Sequence, residues 1–244
     1  MTTYDGPAAA IYDVPTAATM LDWLAGLGGA GLVEIAGAQG LSAAAAAARL
    51  RRLERDGMVE TVRLLHGRPA LYVITRAGLR AAGRRELAPP RVSSSGFAHL
   101  LECGRVARSL EQALGERYSI HSERELRAWE RAAGRALASA ELGFGRSGAR
   151  ERHRPDLVCW PVAGASAGRA VAIEVELTVK APGRLGEIVR GWARSRLIAG
   201  VVYYAAPAAL RALERAVADQ QAAAQVHVLA LERAGELPRA LAAG

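Results

Sequence analysis

The chain has 244 residues, 51% hydrophobic and 23% charged, which is enough apolar material for one large or two small packed domains and excludes a disordered polymer. A formal net charge of +8 favours a polyanionic partner, nucleic acid foremost, through phosphate contacts and release of condensed counterions. Only two cysteines, Cys103 and Cys159, are present, which rules out a disulfide framework and a four-ligand zinc site. No apolar run approaches the roughly 18 residues of a membrane span, and the start lacks a basic leader, so a cytoplasmic protein with no membrane partner is expected.

Residues 1–15 carry Gly6, Pro7 and Pro15 without sustained periodicity and are expected to form a loose arm. Residues 16–85 then read as a helix (17–27), a short helix (31–38), a long helix (42–55) and two strands (58–65 and 70–75), the order of a winged helix-turn-helix. Ser42 is placed to cap the long helix, Ala46, Leu50 and Leu53 share its inward face, and Asp56-Gly57 ends it. His66, Gly67, Arg68 and Pro69 between the strands make a turn suited to the tip of a wing.

The run from Leu41 to Val59, closing on Leu53-Glu54-Arg55-Asp56-Gly57-Met58-Val59 and followed by Tyr72 to Gly78, resembles MarR-type winged-helix regulators over residues 17–83. That resemblance implies that helix 42–55 enters the major groove while Arg63, His66 and Arg68 approach the backbone or minor groove of double-stranded DNA. The first half of the helix, from Ser42 onward, is polyalanine, and alanine can touch only a thymine methyl. Arg49, Arg51, Arg52 and Arg55 supply a basic ridge suited to phosphates. The alternative is a winged helix used for docking or for a homodimer, its arginines simply solvated.

Residues 86–96, with Pro89-Pro90 and Ser93-Ser94-Ser95, have linker composition, and 97–244 reads as a second domain. Helices are expected over 97–114 and 122–137, then a glycine- and arginine-rich loop (143–154), strands 156–162 and 169–179, helix 184–196, strand 197–204, helix 208–224 and strand 226–231. This order predicts an α/β domain, a mixed sheet flanked by helices. Trp160 and Trp192 are read as core. His121, His153 and His227 are dispersed, without metal-ligand spacing.

In strand 169–179, Val171, Ile173, Val175, Leu177 and Val179 share the core face, while Ala172, Glu174, Glu176, Thr178 and Lys180 share the other. Lys180 is the only lysine among 32 basic residues, and arginine does not substitute for its compact point charge. Asp156, at the start of the preceding strand, is placed to meet Glu174. Two carboxylates and an ammonium on a central strand are costly to bury without a metal or a polar network. Two readings stay open: a centre holding Mg²⁺ or Mn²⁺ on Asp156 and Glu174, or an exposed sheet face with solvated charges.

Pro155-Asp156 and Glu174-Val175-Glu176 resemble the PD-(D/E)xK nuclease superfamily, with Glu176 where the lysine usually stands and Lys180 about 13 Å further on if the strand continues. Glu123 or Glu125 matches the upstream acid of that superfamily. The resemblance implies a catalytic set of Asp156, Glu174, Glu176, Lys180 and Glu125 in a restriction-endonuclease-like fold. The whole layout over residues 17–206 is most similar to the replication-relaxation family. It implies a DNA-binding protein of a plasmid or mobile element, acting in replication, DNA relaxation or regulation, with metal-dependent nicking. The alternative is a regulator whose nuclease-like domain only clamps DNA or dimerises.

Overall fold

Caps and glycines divide the N-terminal part of the chain where the sequence places them. The computed structural model describes residues 20–144, 148, 150–162 and 168–242; the expected arm (1–15) and most of the turn expected at 163–168 lie outside the described residues. The first unit comprises α1 (Met20–Leu27), β1 (Gly29–Gly31), α2 (Leu32–Ala38), α3 (Ala43–Arg55), β2 (Val59–Val62), β3 (Leu71–Ile74) and α4 (Arg76–Ala81). The Ser42 hydroxyl accepts the Ala45 N–H at 3.2 Å, satisfying one of the free donors at the start of α3. Gly57, at φ 68°, turns the chain from α3 into β2 at a conformation other residues rarely adopt.

Ala46 and Leu50 are buried with Leu24, Ile35, Val59 and Ile74, and Leu53 packs half-buried against the same core. The sheet has a third strand that the sequence does not announce, because Gly-Ala-Gly offers no alternation of side chains. Residues 29–31 pair antiparallel with β3, giving the order β1-β3-β2. A further glycine is fixed by packing: a Cβ added at Gly78 would lie 2.2 Å from the Met58 carbonyl oxygen.

The stretch expected as a linker is tied to both sides. Leu87 is buried in the first core, and the guanidinium groups of Arg124 and Arg131 donate to the Ala88 and Glu86 carbonyls at 2.6 and 3.2 Å. Its proline and serine content breaks regular structure without detaching the chain. Ser93 then caps α5 (Ser94–Leu114), which begins three residues ahead of the expected Phe97. Phe97 and Leu101 pack on Leu71 and Val73 of β3; Gly104 lies against Ala30, and Val106, Leu110 and Leu114 pack on the second sheet. One helix thus belongs to both cores.

The second unit is mixed α/β. It contains β4 (Tyr118–Ser122), α6 (Glu123–Ala133), β5 (Ala140–Phe144), β6 (Arg150–His153), β7 (Leu157–Pro161), β8 (Ala170–Glu176), α7 (Pro182–Arg194), β9 (Ile198–Ala205), α8 (Pro207–Asp219), β10 (Val226–Ala230) and α9 (Arg239–Ala242). The five-stranded sheet runs β10-β9-β8-β7-β4, with β8, β9 and β10 parallel and β7 and β4 antiparallel to their neighbours. Every residue of central β8 is buried. Val171, Ile173 and Val175 pack with α5 on one face, as the alternation predicts. Ala170 and Ala172 face α7 and α8 through Leu185, Ile188, Trp192 and Leu213.

Several sequence-based boundaries shift. Strand β4 and the β5–β6 hairpin fall where a helix-to-helix connection and a glycine- and arginine-rich loop are expected. Short strands of that composition carry little periodic signal, and the partner of β4 is distant in sequence. Helix α6 stops at Ala133 instead of residue 137 because Gly134 adopts φ 67° and closes it. Strand β8 ends at Glu176, three residues early.

The two units meet around Glu125. Its carboxylate accepts from the Arg84 guanidinium at 2.8 Å and from the Ser122 N–H at 3.0 Å, and lies 3.6 Å from His121 Nδ1; the Ser122 hydroxyl donates to the Gly26 carbonyl at 2.6 Å. Burial pushes this carboxyl up, but His121 and Arg84 outweigh burial and hold it at about 2. Its stabilisation is complete above its ordinary value of 4.5 and is lost as pH falls through about 2. Chemical denaturation of the wild type and Glu125→Gln across pH 6 to 2 is therefore expected to show a stability difference that shrinks on acidification; a constant difference would refute this account of the junction.

Candidate functional site

Backbone register gathers the acids at one end of the five-stranded sheet. Leu157 pairs with Ile173, so Asp156, one residue before β7, stands across from Glu174, and the Val175 N–H donates to Asp156 Oδ2 at 2.7 Å. On the other side Ser122 pairs with Leu157, and the Glu123 N–H donates to the Asp156 carbonyl at 2.9 Å, which starts α6 beside the same aspartate. Glu123, Asp156, Glu174 and Glu176 line a cavity of about 610 Å³, together with His99, His153, Arg152 and Lys180.

Glu174 and Glu176 are only 4% and 5% exposed, which overturns the reading of a solvated sheet face. Each buried acid has a basic partner, as burial of charge demands. Glu174 Oε1 meets His153 Nε2 at 2.6 Å and accepts the Trp192 indole N–H at 3.1 Å; Lys180 Nζ donates to Glu176 Oε2 in a close ion pair; Asp156 Oδ1 meets His99 Nε2 at 2.9 Å. Its hydrogen bond to Asp156 raises the His99 imidazole above its ordinary value, against the effect of burial. Burial disfavours a charged His153, but the Glu174 carboxylate outweighs it and raises this imidazole as well. Burial also pushes the Glu174 carboxyl up, so the pair retains its shared proton to higher pH.

The sequence-predicted residues land unevenly. Asp156, Glu174 and Glu176 come together as the alternation and strand pairing suggest. Lys180 does not lie about 13 Å along an extended strand: the chain leaves β8 after Glu176 and bends back, so the ammonium returns to the acid it follows. Glu125 is absent from the cavity lining, being committed to Arg84 and the Ser122 backbone at the junction; Glu123, two residues earlier on α6, is the acid that reaches the cavity. The partition follows from helix geometry, since residues two apart point to different sides of a helix.

In the first unit Arg49, Arg51, Arg52 and Arg55 are exposed on α3, as are Arg63, His66 and Arg68 between β2 and β3, and among the described residues their side chains have no ion-pair partner. Ser42 is exposed too, with its hydroxyl occupied in capping α3. Sequence reasoning misses His99 and treats His153 and Trp192 as unrelated to the acids. A signal for the first exists in retrospect: His99 and Cys103 are four apart on one face of α5, with Cys103 Sγ 3.4 Å from His99 Nε2. Nothing local marks His153, whose acidic partner is 21 residues away.

No family model matches the chain, and no curated protein matches it. The geometry therefore stands by itself. His153→Ala leaves the buried Glu174 carboxylate, among the described residues, with the Trp192 N–H alone and is expected to cost about 3 kcal/mol in urea denaturation, the scale of breaking a buried pair. Combining it with Glu174→Gln should recover at least about 1 kcal/mol of that loss. Strict additivity of the two substitutions is the result that contradicts a coupled pair.

Proposed function

We propose that this protein binds duplex DNA through its N-terminal unit, used as a winged helix, and acts on the phosphodiester backbone at the acidic cavity, as a relative of replication-relaxation proteins serving a plasmid or mobile element. The observation that carries the reading is the convergence of Asp156, Glu174, Glu176 and the only lysine of the chain in one cavity that also contains Arg152. Buried acids that serve structure alone need no solvent-reaching cavity, whereas phosphodiester chemistry needs carboxylates and cations at one accessible place.

Asp156 and Glu174 fit a hard divalent cation, Mg²⁺ or Mn²⁺, in donor type and in their placement on paired strands. When bound, the ion supplies charge for the developing phosphorane and lowers the pKa of a coordinated water. The imidazoles of His99 and His153 neutralise the carboxylates until then. Lys180, freed from Glu176, offers an ammonium to the nucleophile or phosphate, and Arg152 offers a guanidinium to a phosphate oxygen.

On the DNA side, the exposed arginines of α3, unpaired among the described residues, surround an alanine tip that cannot read base edges. Binding is therefore dominated by the backbone and steeply salt-dependent. Arg51→Ala with Arg52→Ala is expected to weaken binding to all duplexes alike and to reduce the slope of log K against log salt by about 2, measured by fluorescence anisotropy. A sharp motif from random-sequence selection that binds at high salt would contradict this.

A second reading is favoured by a specific observation: all three acids already have basic partners inside the protein, as in a dead centre retained as a DNA clamp or dimerisation platform. Nicking of supercoiled plasmid separates the two. The leading reading expects Mn²⁺-dependent nicking that Asp156→Ala abolishes while DNA binding persists. DNA binding without any nicking in Mg²⁺ or Mn²⁺ leaves the clamp.

A further inference from the structure

The Asp156 carboxylate has a second neighbourhood besides Glu174. On the α5 side of the sheet, His99 and Cys103 present Nε2 and Sγ to it from successive turns of the helix, and one ligand atom from each of the three residues lies within 4.8 Å of the others. The individual separations are 2.9 Å from His99 Nε2 to Asp156 Oδ1 and 3.4 Å from Cys103 Sγ to His99 Nε2. In a tetrahedral zinc site with Zn–N and Zn–O near 2.1 Å and Zn–S near 2.3 Å, ligand atoms are spaced about 3.4 to 3.6 Å apart. The His99–Cys103 separation already matches that spacing, the His99–Asp156 pair must open by about half an ångström, and the three atoms, all within 4.8 Å of one another, must close around the ion.

We propose that His99, Cys103 and Asp156 form a three-ligand site for a borderline-soft divalent cation of the Zn²⁺ class, with its remaining coordination position facing the acidic cavity. The donor set is what distinguishes this ion from Mg²⁺ or Mn²⁺: a sulfur and an imidazole nitrogen suit Zn²⁺, Co²⁺ or Cd²⁺, and hard ions avoid thiolate. Three protein ligands with a vacant fourth position is the arrangement of catalytic zinc, and it needs no further cysteine.

The ligands are already oriented. Cys103 is 9% exposed and packed in the core between α5 and the sheet, fixing the sulfur from below. The Val175 N–H holds the second oxygen of Asp156 at 2.7 Å, the kind of outer-shell hydrogen bond that aims a ligating carboxylate. His99 and Asp156 line the cavity while Cys103 does not, so a bound ion sits on the cavity floor with its open side toward solvent and any phosphate there. Binding converts the thiol to thiolate, and the released proton passes to the buffer.

The site shares Asp156 with the phosphodiester reading but does not require cleavage, and a metal titration set beside the nicking assay separates the two. The full chain is stripped with chelator and titrated with Co²⁺ as spectroscopic stand-in for Zn²⁺. One equivalent is expected to give a thiolate-to-cobalt charge-transfer band with the intense d–d absorption of a tetrahedral site, both erased by Zn²⁺. Cys103→Ser should remove the charge-transfer band and weaken Zn²⁺ binding by at least about 100-fold, the upper end of what even outer-shell losses cost, whereas Cys159→Ser should leave the spectrum unchanged. Wild-type protein that binds Co²⁺ without the band, or does not bind it, overturns the site whatever the variants do. So does a band that survives Cys103→Ser. Mn²⁺-dependent nicking with no cobalt–thiolate band would leave the phosphodiester reading standing and the zinc-class site refuted; a band without nicking would do the reverse.

Discussion

The pairing of β7 with β8 sets the rest of this structure in place. Because Leu157 lies opposite Ile173, Asp156 faces Glu174 and receives the Val175 N–H, so one register decides which acids meet. A slip of one residue would turn Glu174 and Glu176 to the opposite face, into the layer of Val171, Ile173 and Val175 against α5. The apolar alternation of β8 blocks that slip, so the hydrophobic core and the charged cluster depend on the same constraint. The buried charge in turn recruits His99, His153 and Lys180, since each carboxylate removed from water needs a donor close by.

Helix α5 transmits this arrangement to the rest of the chain. Its first turns lie against β3 of the N-terminal unit and carry His99 to the cavity; its later turns pack on the main sheet. On α5 the contacts with the two cores interleave within one turn, from Leu101 through Cys103 to Val106, and the missing side chain of Gly104 lets the helix approach Ala30. A movement of the N-terminal unit against the sheet must therefore bend α5, move its start relative to Asp156, or break the Glu125–Arg84 contact.

The +8 net charge is unevenly used. The arginines of α3 stand exposed and unpaired among the described residues, while Arg84, Arg154 and Lys180 are spent on buried acids. Composition alone treats these groups as equal. Solvation separates them, because a guanidinium in water remains available to a phosphate and one against a buried carboxylate does not.

By itself the sequence determined the elements whose evidence is local. Ser42 and Ser122 cap helices because their hydroxyls reach donors three residues on, and β8 reads as a strand because its side chains alternate. It also pointed to Asp156 and Glu174 as neighbours, since adjacent strands with an apolar face each have few registers to choose from. Tertiary structure decided the rest. It added β1 and β4, whose partners are remote in sequence, and the β5–β6 hairpin, whose glycine- and arginine-rich strands carry no period; it brought Lys180 back to Glu176 through a bend after the strand; and it sent Glu125 to the junction while Glu123 took the cavity. His99, Cys103 and His153 joined the acids for the same reason. Their roles come from distances across the fold, and a linear sequence encodes those only through the packing of every element between them.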